Sequence, residues 1–208
     1  MSTSLNEALT EYIYVKAETT REKAEIAAFA LEVLGIILLN VVLISLAGYA
    51  FGVLSGTLIA AAVVAPLRFV AGGYHSDSPW RCAVFTALLF PVLALLARQM
   101  TVLGPFFADV FVIAAMTWTF FCLLRCAPVD TPSAPIISTR RRLLLRKLSF
   151  FVLAAVSLLL VMMKSFFPGF AVEEMLCAGL AVFWAGFVLL PPGKWLFVVI
   201  DAISIPRR

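Results

Sequence analysis

The chemically richest stretch of the chain lies between two apolar blocks and contains its only histidine, His75. Seven residues later comes Cys82, and a carboxylate and two arginines lie close by in the sequence. A cysteine thiolate beside an imidazole is the recurring arrangement for nucleophilic thiol catalysis. In one continuous helix the two residues would be about 10.5 Å apart along the axis, too far for proton transfer. They can therefore react together only if the chain turns between them.

The residues around this pair predict such a turn. Gly72 and Gly73 permit positive φ and a tight reversal before the histidine. Ser78 and Pro79 form a helix-start signal, with serine as the N-cap and proline at the first helical position. The cysteine then falls in the first turn of the next helix, where free N–H groups and the positive dipole end favour a thiolate.

Several neighbouring side chains are candidates for supporting roles, each with a simpler alternative. Arg68 and Arg81, together with the two glycines, are candidates for oxyanion stabilisation or substrate binding. Arg68 could equally anchor a helix to lipid phosphates. Asp77 could orient the imidazole or cap the following helix. From residue types alone, a loop histidine and a nearby cysteine are more often incidental than catalytic.

Composition shows what kind of chain must position these residues. The 208 residues are 63% hydrophobic and only 13% charged, whereas soluble domains carry about 25% charged residues. A core of this size cannot hide so much apolar surface, so a lipid bilayer must cover the remainder. The net charge of +4 comes from basic residues scattered between apolar blocks, which argues against a nucleic-acid surface.

Apolar blocks of roughly 20 residues, the length that crosses about 30 Å of hydrocarbon, recur along the chain. A single chain in lipid satisfies its backbone hydrogen bonds by forming helices. The sequence therefore predicts an all-α integral membrane protein with about six transmembrane helices, the second of which could end at Pro66. The blocks cover approximately 27–47, 50–70, 80–98, 103–125, 148–166 and 169–190.

Basic residues orient these spans. With a cytoplasmic N-terminus and six crossings, only Arg98 and Lys164 lie outside, as the positive-inside rule favours. Both termini and the His75–Cys82 segment are then cytoplasmic. The basic residues on that side are Lys16, Arg21, Lys23, Arg68, Arg81, Arg125, Arg140, Arg141, Arg142, Arg146, Lys147, Lys194, Arg207 and Arg208.

The chain divides into three predicted parts. Residues 1–25 are interpreted as an amphipathic helix on the inner membrane surface, because Leu5, Leu9, Tyr12 and Ile13 recur at helical spacing. A solvated lead-in to the first span is an equal alternative. Residues 26–193 form the polytopic domain, with the site in a loop at 67–82 and a basic cytoplasmic loop at 126–147. Residues 194–208 form a cytoplasmic tail.

Two motifs give the chain a recognisable resemblance. The first is Arg68-x-x-x-Gly72-Gly73-x-His75-x(6)-Cys82. The second is the stretch 127–132, Ala-Pro-Val-Asp-Thr-Pro, followed by Pro135-Ile136 and the basic run 140–147. Their order and separation in a hydrophobic chain of this length resemble the accessory gene regulator B family, the AgrB-like membrane cysteine peptidases of Gram-positive quorum sensing.

The resemblance implies a thiol protease of the bacterial cell membrane, with Cys82 as the nucleophile and His75 as the general base. Its substrate would be a small AgrD-type precursor peptide lying on the inner membrane surface. Cleavage on the C-terminal side of the future ring would leave an acyl thioester, and cyclisation would then give a thiolactone or lactone autoinducer. The precursor's acidic tail could bind basic residues including Arg140, Arg141, Arg142 and Lys147, although topology alone could explain these.

The resemblance also favours a homodimer. No metal or organic cofactor is implied, because the chain has one histidine and no CxxC pair. Two other functional classes stay open: a small peptide transporter and a non-catalytic membrane scaffold. A transporter would use charged residues within its spans, for which Asp109 and Glu32 are the candidates. Neither alternative needs the Cys82 thiol.

Overall fold

The chain is almost entirely helical in the computed structural model, which describes residues 3–17, 19–76, 78–130, 136–166 and 172–202. These residues contain no strand, only an isolated backbone bridge between Gly72 and Val129. The helices are α1 (Thr3–Lys16), α2 (Arg21–Ala50), α3 (Leu54–Ala71), α4 (Pro79–Met100), α5 (Gly104–Cys126), α6 (Thr139–Phe166), α7 (Val172–Phe187) and α8 (Pro191–Ala202).

The chain divides into two compact units, residues 1–43 and 44–208. The first unit contains α1 and most of α2. A helix was predicted over 1–25, but α1 ends at Lys16 and α2 begins at Arg21, so this segment holds parts of two helices. The location of α1 on a membrane surface stays a prediction.

The fold is that of an integral membrane protein, as the composition predicts. Among the described residues, four helical stretches are long and apolar enough to cross a membrane, or five if α7 and α8 count as one bent span. One stretch, Pro79–Cys126, holds both α4 and α5. The predicted count of six spans is reached only if both of those helices cross separately, and it stays a prediction.

Helix α7 is the central element of the second unit, since it packs on α3, α4 and α5. Small residues such as Gly179 and Gly186 permit this close packing. A Cβ on Gly186 would lie 2.7 Å from Oγ1 of Thr119, and the same hydroxyl donates to the carbonyl of Val182 at 2.7 Å. The interior of the unit is therefore built around the α5–α7 contact.

The chain bends by 87° between α7 and α8. The bend follows Phe187, and α8 begins at Pro191, where a proline suits the first helical position. The tail predicted from Lys194 onward therefore starts inside a helix. Phe197 of α8 is buried and packs edge-on against Phe85 of α4, with ring centroids 5.5 Å apart. Helix α8 is thus part of the second unit up to residue 202.

Two predicted loops are shorter than expected. Helix α3 continues through Pro66 to Ala71, so Arg68 lies on a helix and the site loop begins at Gly72. The basic run at 140–147 lies in the first turns of α6, which begins at Thr139. Both differences arise because apolar residues continue at helical spacing past the proline and into the arginines.

Candidate active site

Helix α4 begins where the sequence predicts and places Cys82 in its first turn. Ser78 is the N-cap, with extended backbone, and Pro79 is the first helical residue. The N–H of Cys82 donates to the carbonyl of Ser78 at 3.0 Å, which is the first hydrogen bond of the helix. The Ser78 side chain makes no capping hydrogen bond. The thiol is free and half-buried at a helix N-terminus, where the dipole favours an anion.

The loop before this helix is held by two other backbone segments. The N–H of Val129 donates to the carbonyl of Ala71 at 2.9 Å, and the N–H of Tyr74 donates to the carbonyl of Val188 at 3.0 Å. Val129 follows α5, and Val188 lies at the α7–α8 bend. Three parts of the chain that are distant in sequence therefore meet at the loop that carries His75.

The paired glycines are needed because these segments come so close. Gly72 has a φ of 72°, and a Cβ there would lie 2.2 Å from the carbonyl oxygen of Val129. Gly73 has a φ of 122°, and its Cβ would lie 3.2 Å from Cγ2 of Val188. The glycines thus have a structural role in fixing the loop. The two sequence motifs, predicted separately, are in backbone contact through Gly72 and Val129.

His75 is exposed, and the loop itself orients its imidazole. Nδ1 lies 2.9 Å from the carbonyl oxygen of Ser76. A carbonyl oxygen only accepts hydrogen bonds, so Nδ1 carries the proton in this contact and Nε2 is left to accept one. Asp77, the predicted orienting residue, lies outside the described residues.

Arg68 connects the loop to the helix that carries the cysteine. Its guanidinium donates to the carbonyl of Tyr74 at 2.7 Å, next to His75. The same group interacts electrostatically with Cys82. Arg68 therefore contacts the histidine loop and also interacts electrostatically with the thiol of Cys82.

Asp201 also contacts residues of the candidate site, and the sequence analysis did not identify it. Its Oδ1 accepts from Oγ of Ser76 at 2.5 Å and lies 3.5 Å from Nη1 of Arg81. Nη1 of Arg81 also donates to the carbonyl oxygen of Asp201 at 2.8 Å. One signal was available: Asp201 is the only carboxylate after Glu174, in an otherwise apolar stretch.

The basic residues predicted to bind a substrate tail differ in their surroundings. Arg140, Arg141 and Lys147 are exposed on α6. Arg142, in contrast, forms an ion pair with Asp130 at 2.8 Å. Desolvation is the largest single effect on the pKa of the Asp130 carboxyl and raises it, but the Arg142 guanidinium and backbone hydrogen bonds together outweigh it and hold that pKa below its ordinary value. Arg142 is thus already engaged by a carboxylate of the chain.

The candidate intramembrane charge, Asp109, also has a partner. Its carboxylate forms an ion pair with Lys164 of α6. Pairing of this kind offsets part of the cost of a charge near hydrocarbon. The pair therefore gives Asp109 a structural explanation that does not require transport.

Gly72 offers a test of the loop's geometry, with Gly52 as a matched control. Gly52 has nearly the same φ, 66°, but a Cβ there would meet nothing within 4 Å. Gly52→Ala should therefore cost only backbone strain, about 1–2 kcal/mol. Gly72→Ala adds a backbone clash and should lower the free energy of unfolding by at least about 3 kcal/mol. Thermal unfolding of both variants in detergent measures this, and equal melting temperatures would contradict the described contact with Val129.

Fold and site together define an α-helical integral membrane protein with a histidine loop and a helix-start cysteine at one end of its bundle. The family model for accessory gene regulator B matches residues 6–189. The chain therefore belongs to the accessory gene regulator B family.

Individual relatives share only a quarter or so of their aligned residues with this chain. Protein FsrB of Enterococcus faecalis is 24% identical over 157 residues, which cover 76% of this chain and 60% of the relative. A putative AgrB-like protein of Clostridium acetobutylicum is 28% identical over 116 residues, 56% of this chain and 53% of the relative. The matches thus span little more than half the length of these curated relatives. No solved structure matches the chain.

Proposed function

We propose that this protein is a membrane-embedded cysteine endopeptidase that cleaves a small quorum-sensing precursor peptide of the AgrD type. Family membership supports the substrate class. The observation that carries the chemistry is the position of Cys82 in the first turn of α4, linked through Arg68 to the loop of His75. In this proposal Cys82 is the nucleophile and His75 is the general base.

The first step is acylation of the enzyme. Nε2 of His75 takes the thiol proton, and Sγ of Cys82 attacks the carbonyl carbon at the C-terminal end of the future ring. The tetrahedral intermediate then collapses, the C–N bond breaks, and the imidazolium returns the proton to the leaving amine. The C-terminal fragment departs, and the N-terminal fragment stays on Cys82 as a thioester.

The second step is cyclisation. A cysteine within the bound fragment loses its proton to His75 and attacks the thioester carbonyl, which forms the thiolactone and releases the Cys82 thiolate. A serine at that position would give a lactone instead. Exchange between two thioesters is nearly balanced in free energy, whereas cleavage of an amide to make a thioester is uphill. Acylation is therefore the step that depends most on stabilisation by the site.

The developing oxyanion needs hydrogen-bond donors close to Cys82. At the start of α4, Pro79 has no N–H, and the N–H of Ser78 donates to Oγ of Ser76 at 3.2 Å. The N–H groups of Trp80 and Arg81, also in this first turn, have no intrahelical acceptor among the described residues. They are the preferred oxyanion donors in this proposal, with the guanidinium of Arg68 as the second choice.

Water must be kept from the acyl-enzyme, since hydrolysis would compete with cyclisation. Trp80, beside the site, is 54% exposed, and His75 is exposed as well. The described side chains therefore leave the site open. The bound precursor or surrounding lipid would have to supply the cover. A homodimer, in which a second chain contributes to that cover, belongs to the same proposal.

Substrate approach follows from the predicted topology, in which the site faces the cytoplasm. A precursor with an amphipathic helix would reach the site while lying on the inner membrane surface. Its acidic tail would then bind Arg140, Arg141 and Lys147, which are exposed, more readily than Arg142, which pairs with Asp130.

A cleavage assay in liposomes tests the proposal, with an AgrD-type precursor peptide as substrate. We expect the protein to release a C-terminal fragment and a second product whose mass is that of the cyclised remainder. Transport of intact peptide into the liposomes without cleavage would contradict the proposal and favour a transporter. Neither cleavage nor transport, with the protein folded, would favour a scaffold.

A further inference from the structure

We infer that Asp201, at the C-terminal end of α8, is a positioning residue that fixes the imidazole of His75 through Ser76. This inference rests on the proposed function of His75 as the general base. It assigns to the last described helix a part in the site, and it identifies an acidic residue that serves the histidine indirectly.

The hydroxyl of Ser76 is the first link. Ser76 is 2% exposed, and its Oγ donates to Oδ1 of Asp201 at 2.5 Å. The same oxygen accepts from the N–H of Ser78, the N-cap of α4, at 3.2 Å. One buried hydroxyl therefore connects α8 to the start of the helix that carries Cys82. Removal of the carboxylate would leave this hydroxyl without its acceptor, which is unfavourable at a buried position.

The carbonyl of Ser76 is the second link. It accepts from Nδ1 of His75 at 2.9 Å and so selects the tautomer in which Nε2 is unprotonated. Histidines in many sites owe their tautomer to such a partner on the second nitrogen. Asp201 holds the side chain of Ser76 in place. If the Ser76 side chain shifted, the Ser76 carbonyl would move with it, and the imidazole of His75 would lose its fixed orientation.

Arg81 gives Asp201 a second contact, next to Cys82. Nη1 of Arg81 lies 3.5 Å from Oδ1 of Asp201 and donates to its backbone carbonyl at 2.8 Å. The carboxylate is only 22% exposed, so the guanidinium also offsets the cost of its burial. Asp201 thus contacts the residue after His75 and the residue before Cys82. Asp201 is therefore positioned to fix His75 and Cys82 relative to each other.

The presence of a single histidine allows a direct test that does not depend on catalysis. The untagged full-length chain, labelled with ¹⁵N at histidine and reconstituted in lipid, gives nitrogen signals from His75 alone. In the wild type we expect the neutral imidazole to be protonated at Nδ1. In Asp201→Ala and Ser76→Ala we expect this preference to be lost, with protonation at Nε2. In Asp109→Asn, which disrupts the ion pair with Lys164 elsewhere, the spectrum should match wild type.

Kinetics on the same variants give the second measurement. Asp201→Ala should lower kcat for precursor cleavage about 10- to 100-fold, as misplacement of a catalytic group does, with KM changed less than about 3-fold. Asp201→Asn keeps an acceptor for Ser76 and should lose less. The Ser76→Ala and Asp201→Ala effects should not be additive, because both break the same link.

The outcomes separate this inference from the proposed function. If His75 keeps its Nδ1 proton in folded Asp201→Ala, the inference is wrong, whatever the activity. If kcat of Asp201→Ala stays within 2-fold of wild type, the positioning role is likewise wrong. If wild type does not cleave the precursor but the tautomer changes as expected, the proposed function fails and the link from Asp201 to His75 stands.

Discussion

Replacement of Cys82 by alanine is expected to abolish release of the C-terminal fragment, with a loss of rate of about 10⁴-fold or more. The reason is that the covalent route disappears with the nucleophile, and only binding and oxyanion stabilisation remain. Cys82→Ser should be nearly as inactive, since a hydroxyl in the same place is a weaker nucleophile. The measurement is the rate of fragment release from the precursor in liposomes.

Cys126→Ala is the matched control for this variant. Cys126 is also a free, half-buried cysteine, but it ends α5 instead of beginning α4. We expect its rate to stay within about 2-fold of wild type, as for a cysteine that acts as a small apolar side chain. If Cys126→Ala were as inactive as Cys82→Ala, loss of fold would explain both. If Cys82→Ala cleaved at the wild-type rate, the nucleophile would be wrongly assigned.

Replacement of His75 by alanine is expected to lower the cleavage rate by about 10²- to 10⁴-fold, the usual contribution of a general base. His75 is exposed, so a small base from solution can reach the space that its ring leaves. Added imidazole should therefore restore part of the activity of His75→Ala. The measurement is the cleavage rate at increasing imidazole concentration.

Cys82→Ala controls for nonspecific effects of imidazole, because a missing nucleophile cannot be replaced by a base. It should stay inactive at every imidazole concentration. A His75→Ala variant with undiminished cleavage would remove the histidine from the mechanism. Rescue of Cys82→Ala by imidazole would show that the assay reports a background reaction.

The sequence predicts much of this fold because membrane helices follow from local properties. Apolar length and breakers predicted the helices α2 to α7, with the start of α6 placed nine residues too late, and Ser78-Pro79 predicted the start of α4. The prediction was wrong where a local sequence rule was overridden by helix packing in the membrane. Pro66 does not end α3, because a proline within a membrane helix is tolerated when neighbouring groups satisfy the backbone.

The site was predictable only in part, since its residues come from distant segments. His75 and Cys82 were singled out as candidates from residue type and from the family resemblance, and Gly72 and Gly73 from their permissive backbone. The sequence could not show why these two positions must be glycine, because Val129 and Val188 approach them only in the folded chain. Asp201 was missed for the same reason: 125 residues separate it from Ser76, and no local pattern connects the two.

The most direct test of the account is to trap the acyl-enzyme. A precursor whose ring-closing cysteine or serine is replaced by alanine can acylate the enzyme but cannot cyclise. After incubation with wild type, acid quenching and digestion, mass spectrometry should find the N-terminal fragment on the peptide containing Cys82, removable by hydroxylamine. Release of the C-terminal fragment without any such adduct, or with the adduct on another residue, would contradict the assignment of Cys82 as the nucleophile.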